Sequence, residues 1–308
     1  MDLVENVIAV QKMQDYIEAH LNEPITLLQL ARAAAYSPWY AARIFKEATG
    51  RAPFEYIRAF RLTKAAFTLR DEERSVLDVA LDFVFDTHEG FTRAFSKEFG
   101  LPPKKYSQKT PPIQLFMPEK ALAAYRYYHR GERKMSENNS VKAIFVQVIE
   151  RPARKVLLQR AVNARDYMEY VTELGCDTWP LLTSVKEALY EPVGMWLPKH
   201  LIKPGTSLYV QGVELPLDYA NEVPAGYDLI ELPPCKMMIF QGEPYNDDDF
   251  MDAIGEVWQH IDKFNPAIYG FQWAPETAPR FQLEPLGYRG YIEARPVISA
   301  NEANRLSE

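Results

Sequence analysis

Two stretches decide the fold: residues 25–50, ITLLQLARAAAYSPWYAARIFKEATG, and residues 75–100, SVLDVALDFVFDTHEGFTRAFSKEFG. Each contains a short apolar segment with Leu-Ala or Val-Ala, then a turn, then a second segment with aromatic residues and one arginine. Apolar residues recur at spacings of three and four in both stretches, which is typical of helices that pack on a core. The repetition predicts two copies of one helix-turn-helix unit.

Local signals mark the ends of these helices. Thr26 and Gln29 have the spacing of a capping box, and Ser37 precedes a proline, which favours an N-cap at Ser37. A longer helix is predicted after Gly50, and Gly100 followed by prolines is a stop signal for the last recognition segment. The N-terminal region is therefore predicted to be entirely helical.

The arginine and the phenylalanine of each second segment are two residues apart, so they lie on different faces of a helix. Phe45 and Phe95 are predicted to face the core, while Arg43 and Arg93 project outward. An outward arginine is what a helix lying in a DNA major groove requires.

Together these features resemble the DNA-binding domain of AraC-type transcription regulators, in which a long helix joins two helix-turn-helix units. The resemblance covers residues 5–107. Its motifs are Ser37-x-x-x-x-x-Arg43-x-Phe45-Lys46, Gly50-x-x-Pro53-x-x-Tyr56, and Phe91-x-Arg93-x-Phe95 running to Phe99-Gly100-x-Pro102-x-x-Tyr106. It implies a transcription regulator whose partner is double-stranded DNA, with RNA polymerase as a further partner.

The resemblance also implies which residues face DNA. They are Trp39, Ala42, Arg43 and Lys46 on the first recognition helix, and His88, Glu89, Gly90 and Arg93 on the second. Arginine suits bidentate contacts to guanine, tryptophan can pack on a thymine methyl group, and glutamate can accept from a cytosine amino group. His88 and Glu89 are equally compatible with a structural place in the first helical turn.

This chain departs from the family in both turns, where Ala35 and Val84 stand in place of the usual glycine. A β-branched residue at positive φ is strained, so we expect the second turn to be distorted. The family also tends to end in Tyr-Arg, where this chain has Tyr106 and Ser107. That change removes one candidate phosphate contact.

The net charge of −7 is unevenly distributed. Residues 1–110 hold 15 Lys/Arg and 15 Asp/Glu, whereas residues 135–308 hold 15 and 25. Phosphate binding depends on basic residues that share a face, so a neutral N-terminal region is compatible with DNA binding. The excess of acidic residues lies in the C-terminal region, for which we expect a different function.

That second region begins near Val141, where strand-like runs such as VKAIFVQVI and SLYVQGVEL replace the helical period. Helical patterns interrupt them near residues 164–190 and 247–264. The motif Ile-Glu-x-Pro-x-x-Lys starts at both Ile149 and Ile230, which indicates a duplication with an offset of 81 residues. We expect one sheet built from two equivalent halves, with helices on one side.

Residues 141–297 resemble the GyrI-like effector-binding domain, and the order of the two domains resembles Rob-type regulators. The resemblance implies a site for a small lipophilic molecule, in its more specific form a cation, between the duplicated halves. The candidate carboxylate is Glu284, since aromatic faces and an unpaired acid attract a delocalised cation. The aromatic candidates are Trp179, Trp196, Tyr209, Trp273, Tyr288 and Tyr291. A place in the core is the competing interpretation for each of these aromatic residues.

The sequence thus predicts a multidomain protein: an all-α double helix-turn-helix domain over 1–110, a linker over 111–140, and a duplicated α+β GyrI-like domain over 141–300. We find no motif for a cofactor, a metal site or a common enzyme, and expect a cytoplasmic regulator with reduced cysteines. The alternative is that the GyrI-like domain acts as a small-molecule hydrolase or as a drug-sequestering module. Hydrolysis would need a carboxylate able to position water.

Overall fold

A computed structural model describes residues 3–119, 143–246, 249–300 and 302. The chain divides into two units, Met1–Lys134 and Met135–Glu308. The first is helical and the second is built on an antiparallel sheet, as predicted. Among the described residues, none of the helices combines the length and the apolar character needed to cross a membrane.

The helical unit contains seven helices in the described part of the chain. They are α1 (Leu3–Ala19), α2 (Leu27–Ala34), α3 (Pro38–Thr49), α4 (Pro53–Asp71), α5 (Val76–Asp82), α6 (His88–Phe99) and α7 (Pro103–Lys109). Thr26 forms the predicted capping box with Gln29, and Ser37 accepts a hydrogen bond from the Tyr40 amide as the N-cap of α3. Thr87 caps α6 in the same way through the amide of Gly90.

The described residues of the helical unit form two hydrophobic clusters. The first joins α1, α2 and α3 to the start of α4, around the fully buried Phe45. The second joins the rest of α4 to α5, α6 and α7, around the fully buried Phe95. Each helix-turn-helix unit therefore has its own core, and α4 belongs to both.

The predicted linker, residues 111–140, lies mostly outside the described residues. Residues 111–119 are described, and they pack on the helical unit as an extended segment. Ile113 and Leu115 are buried in the second cluster, and the Phe116 amide donates to the Thr63 hydroxyl at 2.9 Å. This part of the segment consequently contributes to the helical core.

In its described residues the second unit has nine strands: β1 (Phe145–Arg151), β2 (Arg154–Arg160), β3 (Val193–Trp196), β4 (Tyr209–Leu215), β5 (Asp228–Leu232), β6 (Cys235–Gln241), β7 (Phe271–Trp273), β8 (Arg280–Gln282) and β9 (Ile292–Ser299). Its helices are α8 (Tyr167–Leu174), α9 (Thr178–Ser184) and α10 (Phe250–Lys263), with 3-10 turns at Lys199–Leu201, Pro266–Tyr269 and Gly287–Arg289. The sheet order is β1-β6-β9-β8-β3-β4-β2-β5, and β7 pairs with β9.

This strand order confirms the duplication. If β1 is exchanged with β5, β6 with β2, β9 with β4 and β8 with β3, the result is the same strand order read from the opposite edge of the sheet. The register agrees, since Glu150 lies opposite Lys236 while Glu231 lies opposite Lys155. The two copies of the sequence motif therefore pair with each other across a pseudo-twofold axis.

The axis passes between β3 and β8, where Gly194 lies opposite Gln282. On one face of the sheet, α9 packs on β2 and β4, and α10 packs on β6. The two helical groups thus cover the outer parts of this face. The two central strands lie between them.

Candidate functional site

The first candidate site is the exposed surface of α3 and α6. Trp39 is 72% exposed, Arg43 and Lys46 are exposed, and Ala42 is half-buried. Behind this surface, Ala41, Ile44 and Phe45 bury the opposite side of α3 in the core. The helical period therefore presents the four residues predicted for this helix on its outer side.

Arg43 is held near the helix surface by its neighbours. Its guanidinium carbon lies 4.8 Å from the Tyr40 ring centre and 5.4 Å from that of Trp39. Its Nε lies 3.8 Å from Glu47 Oε1, and both side chains of this ion pair are about half exposed. Exposed pairs contribute little free energy, so Arg43 can exchange Glu47 for another acceptor at small cost.

The second recognition helix repeats the pattern of an exposed arginine and buried apolar residues at an offset of 50 residues. Arg93, His88 and Glu89 are exposed, while Phe91 and Phe95 are fully buried. Gly90 stands where an added Cβ would lie 2.9 Å from the Thr87 hydroxyl that caps the helix. The predicted inward phenylalanines and outward arginines are thus confirmed in both units.

The turns before the two helices are alike in their hydrogen bonds. The Ala35 amide donates to Arg32 O and the Tyr36 amide donates to Ala31 O, at 3.1 and 3.0 Å. The amides of Val84 and Phe85 make the same two bonds in the second unit, also at 3.1 and 3.0 Å. Ala35 and Val84 have φ of 57° and 61°. The second turn is strained but keeps its geometry, so the expected distortion is absent.

The second candidate site lies on the helix-bearing face of the sheet, between the two halves. We call it the central strip and define it by Trp196 on β3, Arg280 and Gln282 on β8, and Glu293 on β9. Trp258 of α10 borders it, donating its indole N–H to Glu293 Oε2 at 2.8 Å. The strip thus combines aromatic and charged side chains at the pseudo-twofold axis.

Two tyrosines related by the duplication meet at this axis. Tyr209 and Tyr291 are both fully buried. The Gln282 amide donates to the Tyr209 hydroxyl at 3.3 Å, and the Tyr291 hydroxyl donates to Gln282 Oε1 at 2.9 Å. Burial raises the pKa of both tyrosines well above the usual value, so both hydroxyls stay protonated.

Glu293 is fully buried and heavily paired. Its Oε1 lies 2.8 Å from Arg280 Nε and 2.9 Å from Arg295 Nε. Its Oε2 accepts from Arg280 Nη2 at 3.0 Å, in addition to Trp258, and lies 3.1 Å from the Tyr291 hydroxyl, whose single hydrogen Gln282 Oε1 also approaches. Two guanidinium groups therefore surround one carboxylate, which leaves this part of the strip with an excess of positive charge.

Trp196 contacts both aromatic and cationic groups. Its ring meets Tyr209 edge to face at 5.0 Å, and the Arg280 guanidinium carbon lies 4.0 Å from the ring centre. The Trp196 side chain is half-buried, and the Arg280 side chain is 30% exposed. Solvent therefore reaches both of these side chains.

Glu284 follows Gln282 on the same face and interacts with Trp179, the predicted aromatic neighbour that the structure brings to it. Burial, with Glu191 nearby, raises the pKa of the Glu284 carboxyl, and Arg289 acts in the opposite direction. Arg289 is itself paired with Glu191, at 2.5 and 2.7 Å. Glu284 thus belongs to a polar group beside the strip.

The other predicted aromatic residues lie elsewhere. Trp273 packs with Phe240 and Phe264 in the core beneath α10, at ring distances of 6.2 and 6.4 Å. Tyr288 is 77% exposed on the last 3-10 turn. Of the candidates, Trp196, Tyr209 and Tyr291 come together around Gln282.

Sequence reasoning missed Gln282 and Glu293. Gln282 has no motif of its own and gains its place from the pseudo-twofold axis. Glu293 could have been found, because it lies two residues after Tyr291 in a strand and therefore on the same face. An acid and an arginine two residues apart, Glu293 and Arg295, were the available signal.

The two repeated units with outward recognition helices define a double helix-turn-helix protein. A helix-turn-helix domain family matches residues 30–109. The regulatory protein SoxS of Salmonella typhimurium is 34% identical over 100 residues, which cover 32% of this chain and 94% of SoxS. This chain therefore belongs to the AraC-type helix-turn-helix family.

The transcriptional regulator Rob of Salmonella typhimurium is 42% identical over 108 residues, or 32% of this chain. The match spans 37% of Rob, so the chain is similar to little more than a third of that relative. Among solved structures, SAV2435 bound to tetraphenylphosphonium matches 52% of this chain and 98% of its own, at 16% identity and a TM-score of 0.34.

Proposed function

We propose that this protein is a transcription regulator that binds duplex DNA by placing α3 and α6 in successive major grooves. The observation that carries the proposal is the equivalent exposure of Arg43 and Arg93 on two units with the same turn hydrogen bonds. The similarity to SoxS, a regulatory protein, supports it. Grooves on one side of B-DNA repeat about every 34 Å, so two such helices would read a site of roughly two turns.

In this proposal Arg43 reads a base and Lys46 contacts the backbone. A guanidinium can donate two parallel hydrogen bonds to guanine O6 and N7, which no other base presents in that pattern. Lys46, one turn further along α3, has a point charge that suits phosphate. Trp39 offers an apolar surface to a thymine methyl group or a sugar. The second helix uses Arg93 in the place of Arg43, with Glu89 and His88 at its first turn.

The test compares Arg43→Ala with Lys46→Ala in the full chain, using a selected genomic duplex and a random duplex of equal length. We expect Arg43→Ala to cost about 1–3 kcal/mol on the selected duplex and little on the random one. We expect Lys46→Ala to weaken both alike and to reduce the salt slope by about one. Fluorescence anisotropy over a series of salt concentrations measures both quantities.

Two outcomes would contradict these roles. Equal losses for Arg43→Ala on both duplexes would show that Arg43 contacts the backbone. Failure of the wild-type chain to bind any genomic fragment at low salt would remove the DNA-binding proposal itself.

We further propose that the central strip binds a small lipophilic effector. The support is the position of Trp196 and Trp258 at the edge of a polar centre, where apolar faces surround a few placed hydrogen-bonding groups. The assignments of Glu284 as charge partner and of RNA polymerase as protein partner stay predictions. Titrating the full chain with lipophilic compounds, while its affinity for the selected duplex is followed, tests whether an occupied strip alters DNA binding.

A further inference from the structure

The charge of the central strip selects among effectors. Its fully buried carboxylate, Glu293, is paired with two guanidinium groups and accepts a hydrogen bond from Trp258. Both of its oxygens are thereby occupied. A positively charged ligand would meet Glu293 only in this paired state, and it would face both Arg280 and Arg295. The other acid of this face, Glu284, lies beside the strip, where it interacts with Trp179.

The aromatic surface leads to the same conclusion. A lipophilic cation gains its specific attraction from an open aromatic face. The Trp196 ring already has the Arg280 guanidinium 4.0 Å from its centre. The protein thus fills its own cation–π position, and an organic cation would have to displace an arginine that is also bound to Glu293.

A ligand carboxylate, in contrast, would be attracted to the arginines of the strip. Arg280 uses Nε and Nη2 on Glu293, and with its side chain 30% exposed it can present its remaining Nη1 to a ligand. A planar ring attached to that carboxylate could pack against Trp258, which borders Glu293 and is 39% exposed. Gln282 adds a neutral polar group at the axis, and its amide and both tyrosine hydroxyls are uncharged.

We propose that the central strip binds small aromatic carboxylates, with Arg280 as the residue that pairs with the ligand anion. This inference rests on the proposed effector function and narrows its ligand class. Arg295 differs from Arg280 in its contacts. Its Nε donates to Glu293, whereas the arginine that lies over the Trp196 ring is Arg280. Arg280 therefore touches the ligand, and Arg295 serves to position Glu293.

The test uses three probes with one ring system: 1-naphthoate, 1-naphthylmethanol and 1-naphthylmethylammonium. Isothermal titration of the full chain with each probe compares an anionic, a neutral and a cationic substituent of similar size on the same ring. We expect naphthoate to bind most tightly and the ammonium compound most weakly. A charged hydrogen bond is worth about 1.5–3 kcal/mol, so Arg280→Gln should weaken naphthoate roughly 10-fold to 100-fold and naphthylmethanol less than about 2-fold.

Arg295→Gln is the matched control, because it removes the other arginine that pairs with Glu293. It should weaken naphthoate binding less than Arg280→Gln does, because Arg295 contributes charge without touching the ligand. Arg280→Lys should restore part of the naphthoate affinity, since it returns the charge without the planar fork. Circular dichroism and the melting temperature of each variant show whether the sheet remains folded. If Arg280→Gln does not fold, the comparison between wild type and Arg280→Lys still decides.

The outcomes separate the two proposals. Tighter binding of the ammonium compound than of naphthoate would overturn the ligand class and leave the effector site standing. Equal losses of naphthoate affinity in Arg280→Gln and Arg295→Gln would overturn the assignment of Arg280. Binding of none of the three probes would overturn both this inference and the effector function.

Discussion

Val84 shows how a single residue can be held against its own preference. It has a φ of 61°, in the left-handed region that costs a β-branched residue roughly 1–2 kcal/mol. The reason is the turn itself, because the Val84 and Phe85 amides must reach back to Leu81 O and Ala80 O to end α5. The hydrogen bonds of the turn and the burial of Phe91 behind it outweigh the strain at one position.

Replacing Val84 by glycine should therefore stabilise the protein. Glycine removes the left-handed penalty but loses about 0.5–1 kcal/mol of chain entropy, so we expect a net gain of about 1 kcal/mol. Urea unfolding should show a higher midpoint with an unchanged slope. Ala35→Gly is the control, and its gain should be smaller because alanine has no β-branch. A lower midpoint for Val84→Gly would mean that the valine side chain contributes more by packing than it costs in strain.

At the scale of elements, β3 and β8 meet where the two halves of the sheet join. Gly194 and Gln282 face each other there, and the duplication makes them equivalent positions. One position has no side chain and the other has an amide that bonds both Tyr209 and Tyr291. The asymmetry has a steric cause, since a Cβ at Gly194 would lie 2.8 Å from Cζ of Tyr209.

Gly194→Ala should accordingly destabilise the sheet domain. Overpacking a buried site typically costs about 1–3 kcal/mol, because Tyr209 would have to leave its position. Gly255→Ala is the matched change within α10, where an added Cβ meets no atom within 4 Å. Alanine is the better helix former, so this variant should gain up to about 1 kcal/mol. Thermal unfolding of the two variants should shift in opposite directions, and a neutral Gly194→Ala would show that Tyr209 moves freely.

At the scale of the whole molecule, the end of the helical unit is set by packing. The segment after α7 continues along the surface of this unit, burying Ile113 and Leu115 against the second cluster. Further along, Glu119 O accepts a hydrogen bond from the side chain of Gln14 at 2.8 Å. A fragment that ends at residue 110 therefore lacks part of its own core.

Fragments 1–110 and 1–119 should differ in stability for this reason. Burying a large aliphatic side chain contributes about 1.5–3 kcal/mol, and two such side chains offset the cost of ordering the segment. We expect the longer fragment to melt at a temperature higher by several degrees. Both should bind the same duplex, because the recognition helices are common to them. Identical melting curves would show that residues 111–119 add no net stability.

Several features followed from the sequence alone because they depend on local chemistry. The caps at Thr26 and Ser37 and the outward Arg43 and Arg93 are all fixed by residues within one or two helical turns. The duplication could also be recognised from the sequence, because the same motif occurs twice. Helical period and side-chain type determine these features whatever the rest of the chain does.

Other features were decided only by the tertiary structure. Trp273 and Trp196 look alike in sequence, yet one packs in the core beneath α10 and the other lies at the axis between the halves. Glu293 acquires its partners Arg280 and Trp258 from a different strand and a helix. The charge of the central strip is the sum of groups that are distant along the chain, and only the pairing of the strands brings them together.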